Sequence, residues 1–138
     1  MSRTFRFPAI DRVVHGPGAV AEVPDIVGEL RAERVMIVTG RSLATETDQI
    51  ATLERALGDR HVATFPRMRA HAPRVDVDDA IALVGECDAD LLIGYGGSSV
   101  TDATKIVRGT CSWRTTPSRP CAYHLVVGGV DARLGHDR

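Results

Sequence analysis

Apolar residues along this chain alternate between two spacings. Short unbroken runs give way to stretches in which they recur every three or four positions. "RVMIVTG" is a run of β-branched and large apolar residues closing on Gly40, the pattern of a strand buried on both faces. "HVATF" and "DLLIGY" repeat it, and "FPAIDRVVHGPGAV" predicts a short strand around Ile10 to His15, broken by Gly16, Pro17 and Gly18. Between the runs, Val20, Val23, Ile26, Val27 and Leu30 form a helical stripe with an irregular start at Pro24. Ile50, Leu53, Ala56 and Leu57 form a second stripe that stops at Gly58. Val77, Ala80, Ile81, Val84 and Cys87 form a third, after the polar loop "RMRAHAPRVD". Strands alternating with helices call for parallel pairing through right-handed crossovers.

The expected fold class is therefore α/β, a Rossmann-like doubly wound parallel sheet in a single truncated domain over residues 1–108, followed by an irregular tail over 109–138. The tail holds two of the three cysteines and the tryptophan, and offers one strand at most, in "HLVVGG". With 138 residues the chain suffices for one ordinary core. A net charge of -1 excludes a broad attraction to nucleic acid or membrane surfaces and leaves a small molecule as the expected partner. No apolar run approaches the ~18 residues of a spanning helix, and "MSRTFRFPAI" lacks the apolar core of a signal peptide, so a cytoplasmic location is expected. Cys87, Cys111 and Cys121 are odd in number and contain no C-x-x-C pair, so reduced thiols are the expectation.

The candidate chemistry lies in "IGYGGSSVTDATK", where glycines and small hydroxyls follow a buried strand. Ligands of open α/β sheets bind at the carboxyl ends of strands, where the next helix presents unpaired N–H groups. Gly94, Gly96 and Gly97 leave no Cβ between backbone and ligand, so a phosphate can approach closely. Ser99 and Asp102 have the S-x-x-D form of a capping box, and Val100, Ala103, Ile106 and Val107 supply a core-facing stripe. The segment fails both the G-x-G-x-x-G and the P-loop patterns. An anion seat and a plain tight turn with a helix cap both fit the pattern, and spacing does not separate them.

"DADLLIGYGGSSVTDATKIV" resembles the glycine-rich signature of the iron-containing alcohol dehydrogenases. "IDRVVHGPGAV", "RVMIVTGRSL" and "HAPRVDVDDA" fall in the order and spacing of that family's amino-terminal domain, so the resemblance covers residues 5 to about 108. The loop "MRAHAPRVDV" leans toward the maleylacetate-reductase-like branch. The resemblance implies a nicotinamide dinucleotide, NAD or NADP, with its pyrophosphate on Gly96, Gly97, Ser98 and Ser99, and with Asp102 holding the loop or the cofactor. Ser98 stands where the family has the third glycine of GGGS. Many relatives carry an aspartate where Gly40 stands; Gly40 followed by Arg41 removes its repulsion of a 2′-phosphate and tilts the expectation toward NADP. Lys105 faces either the cofactor or solvent.

The resemblance also implies iron or zinc, held in complete members by an aspartate and histidines of a helical second domain, acting on a small alcohol or carbonyl substrate. The chain ends before that domain, so no catalytic residue and no metal ligand are assigned to it. Cys111, Cys121, His124 and His136 match no common zinc module. The change of style after Arg108 suggests that a shifted reading frame or a truncation replaced the rest of a longer enzyme. An α/β layer without its companion domain exposes apolar surface, which favours a homo-oligomer. The expectation is the cofactor-binding half of an NAD(P)-dependent alcohol dehydrogenase; the alternatives are a non-catalytic nucleotide-binding or interaction module and a non-functional gene remnant.

Overall fold

The structure is a computed structural model that describes residues 18–111 and 123–128. The strand expected at Ile10 to His15 lies outside the described residues. A 3-10 turn, Ala19–Glu22, leads into helix α1, Val23–Glu29. Pro24 sits in the first turn of α1, where the N–H it lacks would have had no helical partner. Strand β1, Val35–Thr39, is buried along its whole length. Helices α2, Arg41–Glu46, and α3, Gln49–Leu57, connect it to strand β2, His61–Phe65. Helix α4, Arg74–Cys87, leads to strand β3, Leu91–Gly96, and helix α5, Ser98–Cys111, precedes strand β4, Tyr123–Gly128.

The strands form one parallel sheet in the order β2-β1-β3-β4. Side chains alternate between its faces and feed two cores. Met36, Val38 and Leu92 pack with Val77, Ala80 and Val84 of α4 and Val100, Ala103 and Val107 of α5. Val35, Ile37, Leu91, Ile93 and Tyr95 pack with Val23 and Val27 of α1 and Ile50, Leu53 and Leu57 of α3. Helices therefore cover both faces, as the unbroken apolar runs of β1 and β3 require. The chain leaves β1 in one direction to form β2 and comes back past it to form β3. The strand order reverses between β1 and β3, and their carboxyl ends lie level, with Thr39 paired to Tyr95.

A separate helix, α2, precedes the expected stripe of α3, because Thr47 is extended and its Oγ1 donates to Leu43 O at 2.7 Å. Three expectations need correction. Ala56 is exposed, since the core side of α3 is filled by Ile50, Leu53 and Leu57. Ile106 is 51% exposed, and the buried place on that turn of α5 belongs to Thr104, whose Oγ1 is satisfied by donating to Val100 O at 2.7 Å. The Ser99–Asp102 capping box does not form: α5 already begins at Ser98, and Ser99 Oγ accepts the main-chain N–H of His71 at 2.9 Å. The strand expected in "HLVVGG" is β4, which adds to β3.

Candidate functional site

The three glycines after Ile93 have different surroundings. A Cβ on Gly94 would lie 2.5 Å from Thr104 Oγ1, so this glycine lets α5 press against β3. Gly96 has φ 155°, and a Cβ there would come within 3.0 Å of Val100 Cγ2. Gly97 differs: a Cβ there would meet nothing within 4 Å. Gly97 also lines a cavity of about 630 Å³ at the carboxyl ends of β1, β2 and β3. Gly40 and Arg41 line one side, Gly96 and Gly97 another, and Met68 and Arg69 belong to the loop between them. Such a crevice, where the strand order reverses, is where ligands of open α/β sheets bind.

Hydrogen bonds fix the rim. Thr39, fully buried, donates from Oγ1 to Tyr95 O at 2.8 Å, and Thr39 O accepts Met68 N–H at 3.0 Å. These two bonds tie the ends of β1 and β3 to the loop over residues 66–73. Further along that loop, Asp76 at the start of α4 accepts Arg69 N–H at 3.0 Å and the Arg69 guanidinium, with Nη2 at 2.7 Å and Nε at 2.9 Å. The Arg69 hydrogen bond holds the Asp76 carboxyl below the usual carboxylate range, against the upward push of burial. Arg67 lies over the Phe65 ring at 4.8 Å and reaches Asp79 at 3.4 Å. Arg41, exposed beside Gly40, has no carboxylate partner among the described residues.

Of the residues expected to bind a cofactor, Gly40, Gly96 and Gly97 come together on the cavity wall. Ser98 is exposed in the first turn of α5, and Ser99 is half-buried against the loop through His71. Asp102 and Lys105 are exposed farther along the helix, outside the cavity lining. Thr101 N–H bonds Gly97 O at 3.0 Å, so the N–H groups of Ser98, Ser99 and Val100 precede the first intrahelical bond. A glycine with open space and first-turn N–H groups fit the diphosphate of a dinucleotide. Sequence reasoning missed Thr39, Met68 and the Arg69–Asp76 pair. A threonine directly before a strand-ending glycine was the available signal for Thr39.

Among the described residues no three His, Cys, Asp or Glu side chains converge as metal ligands. Cys111 is buried in the first core, and the side chains of Cys121, His124 and His136 lie outside the described residues. No helix among the described residues is long and apolar enough to cross a membrane.

The family model described as "Iron-containing alcohol dehydrogenase" matches residues 11–127, a span that runs past Arg108 and takes in most of β4. Maleylacetate reductase 1 of Cupriavidus pinatubonensis is 32% identical over 99 residues, covering 70% of this chain and 26% of that protein. The chain thus spans about a quarter of this curated relative's length. Among solved structures, maleylacetate reductase from Agrobacterium tumefaciens aligns with 99% of this chain and 46% of its own, with a TM-score of 0.74 at 19% identity. Sulfoacetaldehyde reductase from Bifidobacterium kashiwanohense, solved in complex with NAD+, aligns with 75% of this chain and 27% of its own, with a TM-score of 0.65 at 18% identity. The doubly wound sheet, the glycine turn facing the crevice and a family match over most of the sequence agree, and this chain belongs to the iron-containing alcohol dehydrogenase family.

Proposed function

We propose that this chain carries the dinucleotide-binding domain of an NAD(P)-dependent oxidoreductase that interconverts an alcohol and a carbonyl compound, a domain that takes in the end of α5 at Cys111 and strand β4 as well as residues 1–108. The observation that carries this reading is the open face of Gly97 on the cavity wall, where a side chain would occupy space and touch no protein atom. The bound dinucleotide supplies a carbon centre that accepts or donates hydride. The chain's own part is to hold it. Main-chain N–H groups at Ser98 and Ser99 meet the diphosphate, and Gly96 and Gly97 let it approach.

Gly40 and Arg41 favour NADP over NAD in this reading. A carboxylate at the end of β1 would repel a 2′-phosphate; a glycine removes the repulsion and the neighbouring arginine adds attraction. The iron or zinc of complete family members has no ligand set among the described residues, so no metal-dependent step is assigned to them. A second reading, a nucleotide-binding module without catalysis, rests on the same cavity. Fluorescence titration with NADPH and NADH tests the shared claim: saturable binding supports both readings, and its absence refutes both. Hydride transfer to an aldehyde in the presence of Fe²⁺ or Zn²⁺ separates them.

A further inference from the structure

Arg67, Met68, Arg69 and Ala70, of the loop over residues 66–73, form one wall of the cavity, and the backbone of that loop is in a conformation that its sequence does not favour. His71 and Ala72 have φ 63° and 47°, two successive left-handed residues with no glycine. Such a path persists only where surrounding contacts over-determine it. Three bonds from outside the loop do so: Met68 N–H to Thr39 O, His71 N–H to Ser99 Oγ, and Arg69 N–H to Asp76 Oδ2. Only the last ends on an ion.

Asp76 is 4% exposed, whereas the Arg69 side chain is 67% exposed. The carboxylate accepts Arg69 Nε and Nη2 as well as the main-chain N–H, so both of its oxygens are spent on one residue of the loop. An acid in the first turn of a helix ordinarily serves that helix's own N–H groups. Asp76 instead turns outward to the loop. Arg69, for its part, is poorly placed to serve as a ligand for phosphate. Drawing its guanidinium to an anion would leave an enclosed carboxylate without its partner, an unfavourable exchange.

We propose that Asp76 is a positioning residue that clamps the Arg67–Ala70 wall, through Arg69, in the shape that receives the dinucleotide. The proposal rests on the nucleotide reading given above. Its test compares the full chain with Asp76→Asn and with Arg69→Ala, a change at an exposed side chain. Two quantities are measured: hydrogen exchange of main-chain amides, and affinity for NADPH.

In both variants the main-chain amides at positions 69 and 71 exchange about tenfold faster or more, as expected when a charge-assisted bond is lost, while those of Ile37 and Ile93 keep their protection. Affinity for NADPH falls about tenfold, and Asp76→Asn combined with Arg69→Ala weakens it no further than either change alone, because the pair acts as one unit. Unchanged loop exchange, or NADPH bound as tightly by Asp76→Asn as by the wild type, overturns the clamp and leaves the nucleotide reading standing. A wild-type chain with no affinity for NADPH or NADH removes both.

Discussion

Gly94 and Thr104 approach so closely that a methyl group on the glycine would lie 2.5 Å from the threonine hydroxyl oxygen. Both residues are buried, and the Thr104 hydroxyl is already committed to Val100 O within α5. The helix cannot move away without opening the core around Val100, Ala103 and Val107. Gly94→Ala is therefore expected to lower stability by about 1–3 kcal/mol, the usual cost of overpacking. Adding Thr104→Ala, which removes the nearest atom, recovers part of the loss. Denaturant unfolding of the two variants checks this, and a Gly94→Ala chain as stable as wild type would refute it.

Gly97, three positions later, gives the opposite expectation. With no protein atom near its open side, Gly97→Val should cost no more than about 1 kcal/mol, the usual penalty for a poor residue at a helix N-cap. The valine side chain would project into the cavity and displace a bound diphosphate. Saturable NADPH binding by the wild type and none by a folded Gly97→Val chain is the expected pair of results.

Cofactor choice is expected to follow the end of β1. A Cβ on Gly40 would sit 3.4 Å from Met68 O, so the first carbon of an aspartate there meets no forbidden contact. Gly40→Asp should weaken NADPH far more than NADH, by about tenfold or more for a charge placed beside a phosphate. Arg41→Gln should erode the same preference from the other side. Dissociation constants for the two cofactors across the three chains measure it, and a ratio that does not move contradicts the assignment.

Asp76 makes stability depend on acid. Its folded-state carboxyl titrates lower than its unfolded one because of Arg69. The stabilisation is therefore fully present above the unfolded value and is lost as the pH falls through the folded value. The difference in Tm between wild type and Asp76→Asn should be constant near neutrality and shrink on acidification below the ordinary carboxylate range. A difference that persists unchanged into strong acid would show that the carboxylate charge is not what Arg69 holds.

The strands were legible because β1 and β3 are buried on both faces and so must be apolar throughout. The helix stripes were legible up to positions where polarity misleads. Thr104 is buried because its hydroxyl is satisfied within its own helix, and Ile106, though apolar, points to solvent. At the site, Gly40, Gly96 and Gly97 could be picked out because adjacent parallel strands bring their ends together. The Arg69–Asp76 pair could not. Asp76 has the spelling of a solvated acid at a helix start, and its contact depends on a left-handed bend at His71 and Ala72 that neither residue type announces.

Thermal unfolding of the chain over a titration of NADPH and of NADH asks whether this crevice holds a nicotinamide dinucleotide. A ligand that binds only the folded chain at a hundred times its Kd adds about 2.7 kcal/mol and raises Tm by several degrees. That rise is expected to grow with the logarithm of concentration and to be larger for NADPH than for NADH. A Tm that neither cofactor moves at millimolar concentration would contradict it.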